Sequence, residues 1–307
     1  YDTFTDPAAA HAFVDRLGAP IVIKADGLAA GKGVVVAMTL QEAHDAVDFM
    51  LVDNKYGVTH NEGGARVVIE QFLEGEEASF IVLCDGKNVL ALATSQDHKR
   101  LKDGDEGPNT GGMGAYSPAP VVTADVHARA MREIILPTIR GMEKDGIPYT
   151  GFLYAGLMID AKGHPKTLEF NCRMGDPETQ PILMRLKSDL VDVLSAAVDG
   201  KLDQIEVQWD RRTALGVVMA AHGYPESPRK GDPITGLPAE ADDAVVFHAG
   251  TQLKDGVVSV TGGRVLCVTV LADSVKQAQQ RAYDVARGIH FEGAQYRRDI
   301  GFRAIKN

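Results

Sequence analysis

Pro20-Ile21-Val22-Ile23-Lys24-Ala25-Asp26-Gly27-Leu28-Ala29-Ala30-Gly31-Lys32-Gly33-Val34-Val35-Val36-Ala37 is the stretch on which the reading of the fold turns. Its apolar ends read as two strands, the first of them buried, clasping a glycine-rich loop. Gly27, Gly31 and Gly33 let backbone N–H groups approach phosphate oxygens with no Cβ in the way, and Lys24 and Lys32 supply positive charge. The loop is not a Walker A motif, which spaces its glycines more widely and places Ser or Thr after its lysine, where Gly33 stands here. Nor is it the dinucleotide fingerprint, because Val34, Val35 and Val36 continue as a strand where that motif opens a helix. An ordinary glycine-rich hairpin is the competing reading.

A second stretch carries the chemistry. Glu169-Phe170-Asn171-Cys172-Arg173-Met174-Gly175-Asp176-Pro177-Glu178-Thr179-Gln180 is rich in polar groups and follows the apolar-rich run 151–159. Side chains alternate across a strand, so Glu169 and Asn171 share one face and Phe170 takes the other. A carboxylate beside an amide oxygen suits Mg²⁺, which takes its remaining ligands from water and nucleotide phosphates. A solvated strand end followed by a Gly-Asp-Pro turn is the alternative.

The chain has 307 residues, 45% of them apolar, enough for a substantial core divided into two or three units. Acidic residues outnumber basic ones, 42 to 32, and the formal charge of −10 argues against a nucleic-acid footprint. Small anions held by local patches remain compatible with it. Cys84, Cys172 and Cys267 are widely spaced and include no C-x-x-C pair. They fit a reducing cytosol and read as small buried apolar residues, not as a disulfide framework or a zinc site. No apolar run has the length of a membrane span, and the opening Tyr1-Asp2-Thr3-Phe4 has neither Met nor a basic segment, so a fragment of a longer protein is expected.

Along the chain, Thr39 and Glu42 form a capping box ahead of Ala43, Ala46, Val47, Met50 and Leu51. That spacing predicts a helix over 40–51, packed on the loop-bearing hairpin in a small α+β lobe. Residues 53–65 read as a surface connection, 66–72 as a strand, and 78–94 as a hairpin turning at Cys84-Asp85-Gly86-Lys87. The polar, glycine-rich segment 95–114 reads as a long loop, either anion-binding or disordered. A helix from Thr123 to Lys144 with a kink at Pro137, a strand pair over 151–160 and 166–171, and a helix over 176–200 follow. Beyond Trp209, short β-runs and a helix over 274–288 read as a separate small domain. The expected divisions are 1–72, 73–205 and 206–307.

Four segments in order, Lys24 to Gly33, Gln96 to Arg100, Gly107 to Gly114 and Arg173 to Gln180, resemble the ATP-grasp enzymes, specifically the phosphoribosylamine–glycine ligase (glycinamide ribonucleotide synthetase) family. The resemblance covers essentially the whole chain, with Met174 where Phe or Leu is usual, a volume-conserving change. It implies an α+β ATP-grasp fold: a small lid lobe, a larger antiparallel-sheet lobe and a small β-rich C-terminal domain, with the family's N-terminal domain preceding Tyr1. It implies that Lys24, Gly27, Gly31, Lys32 and Gly33 hold ATP phosphates, that Glu70, Gln71, Phe72 and Leu73 line the adenine, and that Glu77 takes the ribose hydroxyls. Glu169 and Asn171 would bind Mg²⁺ or Mn²⁺. Ala155-Gly156-Leu157 lacks the further acidic ligand common in the wider superfamily. Arg173 would act on the transferring phosphoryl group, Gly175 and Asp176 would bind glycine with Asp176 on its ammonium, and Asp97, His98, Lys99, Arg100, Gly112, Met113 and Gly114 would bind substrate anions. The implied reaction joins glycine to 5-phosphoribosylamine through glycyl phosphate in the cytoplasm, as part of purine biosynthesis, with no nucleic-acid or membrane partner. Another ATP-grasp carboxylate–amine ligase should lack the Arg173 to Gln180 stretch, and a non-catalytic nucleotide-binding module should have lost Glu169, Asn171 or Arg173.

Overall fold

Asp6 accepts hydrogen bonds from the N–H groups of Ala8 and Ala9 and Pro7 opens the first turn, so strand β1 (Asp2–Phe4) passes directly into helix α1 (Pro7–Leu17). The computed structural model describes residues 1–27, 33–55, 57–60, 63–239 and 241–305, which fall into two compact units, Tyr1–Glu74 and Gly75–Asn307.

In the first unit β2 (Ile21–Ala25) and β3 (Val34–Ala37) form the expected hairpin. Helix α2 (Leu40–Val47) starts at the Thr39/Glu42 capping box and widens into a π turn over Asp48–Val52. With β4 (Val67–Gln71) the sheet runs β1-β4-β2-β3, antiparallel throughout. Ile21, Ile23, Val67 and Ile69 turn one face toward Ala10 and Val14 of α1 and Ala43 and Val47 of α2. Burying each isoleucine there contributes roughly 1.5–3 kcal/mol.

The second unit holds two larger sheets. Its strands and helices begin with β5 (Glu76–Asp85), β6 (Val89–Ala91), β7 (Gln96–Asp97), β8 (Arg100–Lys102), β9 (Glu106–Asn109), β10 (Gly114–Ser117), α3 (Ala124–Ala130) and α4 (Leu136–Lys144). They continue with β11 (Thr150–Ile159), β12 (Pro165–Asn171), α5 (Thr179–Met184), α6 (Leu190–Val198), β13 (Thr213–Ala220), β14 (Ala244–His248), β15 (Thr251–Lys254), β16 (Val257–Val260), β17 (Arg264–Ala272) and α7 (Val275–Gly288). One sheet has the order β12-β11-β5-β6, the other β14-β17-β13-β10-β7. Phe80, Val82, Leu153, Ala155 and Leu157 face α3 and α4 on one side of the first sheet. Between those helices a π turn over Met131–Ile135 precedes Pro137, the position of the expected kink, so the missing proline N–H falls at the opening turn of α4.

Three expectations change. The segment 95–114 is not one long loop: Gln96 and Asp97 pair with Tyr116 and Ala115, and β8 pairs with β9. These pairings rest on backbone hydrogen bonds and leave no hydrophobic alternation to read. The helix expected over 176–200 is two helices. Arg185 sends its guanidinium to the carbonyls of Asp210 and Arg212 and to Ser117 Oγ, Lys187 N–H donates to Gln208 O, and Asp189 caps α6 afresh. The β-rich tail beyond residue 206 also shares its sheet with β7 and β10, which come from residues 96–117.

Candidate functional site

In the first unit, Lys24 near the end of β2 places Nζ 2.6 Å from Glu70 Oε2 on neighbouring β4. Gly33 is buried, and its carbonyl accepts from Ala25 N–H at 2.8 Å, which closes the hairpin. A Cβ at Gly27 would collide with the Val58 side chain. Phe72 and Leu73 lie half-buried just beyond β4. Gly31 and Lys32 lie outside the described residues.

In the second unit, the register of β12 on β11 sets Asn171 opposite Tyr154 and Glu169 opposite Gly156, which in turn faces Ser79 on β5. Glu77, Ser79, Tyr154, Glu169 and Asn171 therefore share one face of the sheet, and Gly156 leaves its centre uncrowded. Asn171 Nδ2 donates to Glu169 Oε1 at 3.2 Å. Among the described residues no cluster of three or more His, Cys, Asp or Glu is arranged to hold a metal. The pair nonetheless fits Mg²⁺: a hard carboxylate and an amide whose oxygen can turn inward, with water and phosphate completing the shell. Arg173 is exposed, its guanidinium 5.9 Å from the Tyr154 ring centre and donating to Met174 O.

Charge concentrates beside this face. Lys99 Nζ lies 3.2 Å from Glu77 Oε2. Burial lowers the Lys99 pKa, but Asp97, Glu77 and Glu169 outweigh it and hold the ammonium well above its ordinary value. Burial, with Glu178 nearby, pushes Asp97 up to about 8. Glu178, 2% exposed, accepts from Ser79 Oγ at 2.7 Å, and Ser79 Oγ is 2.9 Å from Tyr154 OH. Asp176 pairs with Arg264, Oδ2 to Nη2 at 2.7 Å, and the same guanidinium donates to the carbonyls of Asp176 and Gly111. Gly112 rests against Pro177, and a Cβ on buried Gly175 would come within 2.5 Å of Glu178 Oε2.

The expected substrate set thus divides. Asp97, Lys99, Gly112, Gly175 and Asp176 lie in or beside these two groupings. Met113 is fully buried in the core with Tyr116 and Leu215. His98 is equally buried; its Nε2 accepts from Gly301 N–H at 2.9 Å, while Nδ1 lies 3.9 Å from Asp105 Oδ1, too far for a hydrogen bond. Burial lowers the His98 pKa. Gly114 packs within β10, where a Cβ would come 2.6 Å from Gly216 O, and Arg100 donates to Gly107 O at 2.7 Å across the β8–β9 hairpin. Cys172 departs from the buried-cysteine expectation: it is exposed beside Asn171, while Cys84 and Cys267 are buried and all three are free.

Residues 1–179 match the family profile "Phosphoribosylglycinamide synthetase, ATP-grasp (A) domain", and residues 214–303 match its C domain. A phosphoribosylamine–glycine ligase of Ralstonia nicotianae is 74% identical over 306 residues, covering 100% of this chain and 72% of the relative. The chain belongs to the phosphoribosylamine–glycine ligase family. ATP use with a divalent metal goes with membership of this family. The crystal structure of the Thermotoga maritima phosphoribosylamine–glycine ligase superposes with a TM-score of 0.86 at 38% identity, covering 97% of this chain and 73% of that one. The biotin carboxylase domain of Hydrogenobacter thermophilus 2-oxoglutarate carboxylase, 16% identical with a TM-score of 0.69 over 95% of this chain and 61% of its own, shares the ATP-grasp fold.

Arg264, Ser79 and Tyr154 were not singled out in the sequence. Ser79 alternates with Glu77 on one strand, a signal that could have found it. Arg264 carries none, since 88 positions separate it from Asp176.

Proposed function

We propose that this chain joins glycine to 5-phosphoribosylamine at the expense of ATP, through glycyl phosphate, giving glycinamide ribonucleotide, ADP and phosphate. The observation that carries the reading is the single sheet face bearing Glu169 and Asn171, with Lys99 and Arg173 adjoining it, in a chain of this family. A divalent cation, Mg²⁺ or Mn²⁺, held by Glu169 and Asn171 would neutralise phosphate charge. Lys24 and the Gly27–Gly33 loop are offered to the ATP phosphates, Glu70, Phe72 and Leu73 to the adenine, and Glu77 to the ribose. Asp176, held in place by Arg264, would receive the glycine ammonium and leave the carboxylate free.

A glycine carboxylate oxygen attacks the γ-phosphorus, and the bond from that phosphorus to the β–γ bridging oxygen breaks to release ADP. Arg173 would stabilise charge spread over the transferring group. The amine of 5-phosphoribosylamine then attacks the acyl carbon, loses a proton, and expels phosphate. Lys99 is offered to substrate anions, while the N–H groups of Gly111 and Gly112 donate to Tyr224 OH and Thr110 Oγ1. A cytosolic site of action belongs to the same proposal, supported by three free cysteines. Glycine labelled with ¹⁸O in its carboxylate tests the route: label is expected in the released phosphate, because one carboxylate oxygen bridges to phosphorus and leaves with it. Unlabelled phosphate from active full-length enzyme would overturn the acyl-phosphate path.

A further inference from the structure

Helices α1 and α2 of the first unit pack together and bring two histidines face to face. His11 Nδ1 and His44 Nδ1 are 2.6 Å apart, with ring centres 4.8 Å apart and planes inclined by 34°. The other nitrogen of each ring is engaged outward: His11 Nε2 lies 2.9 Å from Asp48 Oδ1, and His44 Nε2 lies 2.9 Å from Asp15 Oδ1. An ionised carboxylate only accepts, so each Nε2 carries a hydrogen, and in the neutral ring this leaves a lone pair on Nδ1. Two lone pairs aimed at each other across 2.6 Å repel unless a proton or a metal ion stands between them.

We propose that His11 and His44 form a binding site for a divalent transition-metal ion of the imidazole-preferring class: zinc, nickel or copper(II). A carboxylate behind each imidazole fixes its tautomer and ring orientation, which is the outer arrangement that metal-bound histidines use, here present twice. Neutral imidazole nitrogen selects these ions over magnesium or calcium, which favour oxygen. Metal–nitrogen bonds of about 2.0–2.1 Å at a tetrahedral angle would set the two nitrogens about 3.3 Å apart, so the rings need open by only about 0.7 Å. Both rings are about a quarter exposed, at 28% and 26%, so water can supply the remaining ligands. The site joins α1 to α2, and nothing in it depends on the ligase reading.

Calorimetric titration of the full chain, stripped with chelator, with ZnCl₂ in a non-coordinating buffer holding excess Mg²⁺ to occupy the Glu169–Asn171 pair, tests the site. Saturable uptake of one equivalent is expected, lost in His11→Ala and in His44→Ala, and weakened about 10–100-fold in Asp48→Asn and Asp15→Asn. The unaltered protein loaded with one equivalent of Cu²⁺ should show hyperfine coupling to two imidazole nitrogens by electron paramagnetic resonance, a readout independent of whether any variant folds. A zinc isotherm that survives in the double alanine variant, a copper spectrum without nitrogen coupling, or no saturable zinc uptake would each overturn the proposal.

Discussion

Asp97 and Lys99 stand two residues apart and burial acts on them oppositely: it raises Asp97, with Glu178 adding to it, and lowers Lys99, where Asp97, Glu77 and Glu169 outweigh it. Because the Asp97 carboxyl is raised from 3.8 to about 8, the native state keeps a proton that the unfolded chain releases over that window. Stability attributable to this group therefore falls as pH rises from about 4 to about 8. Asp97→Asn should flatten that fall, which urea unfolding of both proteins across the window would show; parallel curves would count against it. Glu169→Gln is expected to abolish turnover and leave the thermal transition in place, since an exposed strand-end carboxylate contributes charge and not packing. Arg173→Ala should lower kcat on the order of 10³-fold, and a change confined to KM would indicate binding only. Glu169 and Asn171 were legible because strand alternation alone puts them together. The raised pKa of Asp97 was not, because the burial that causes it depends on strands paired from elsewhere in the chain.

Elements were legible wherever their cause is local. The Thr39/Glu42 capping box starts α2 where it should, and the β2–β3 hairpin follows from its apolar ends. Local reasoning failed at Arg185, 8% exposed, whose bonds to Asp210 O, Arg212 O and Ser117 Oγ separate α5 from α6. Helical propensity runs on through that point, and only the distant carbonyls reveal the break. Arg185→Ala leaves those buried acceptors without their donor and should cost roughly 1–3 kcal/mol, read as a lower urea midpoint at unchanged slope.

At the largest scale the C-terminal segment is used in the middle of the chain. Arg297, 1% exposed, binds Asp105 and Asp299 and donates to Arg100 O, while Gly301 N–H reaches His98. Replacing Arg297 with Met leaves half-buried Asp299 without its cation and Asp105 with Arg303 alone, and a loss of roughly 1–3 kcal/mol is expected in equilibrium unfolding. The return of the C-terminal segment to the 96–117 region could not be read from the sequence, since sheet partners far apart in sequence leave no periodic trace. That return has a consequence on the ribosome. Strand β10 lies between β7 and β13 in the sheet, and β13 is translated about a hundred residues after it. At about 5–20 residues per second a nascent chain carries β10 with one edge unpaired for roughly 5–20 s. During that interval the segment 96–117 is open to chaperones and to pairing with neighbouring nascent chains, and translation speed between β10 and β13 sets how long the exposure lasts.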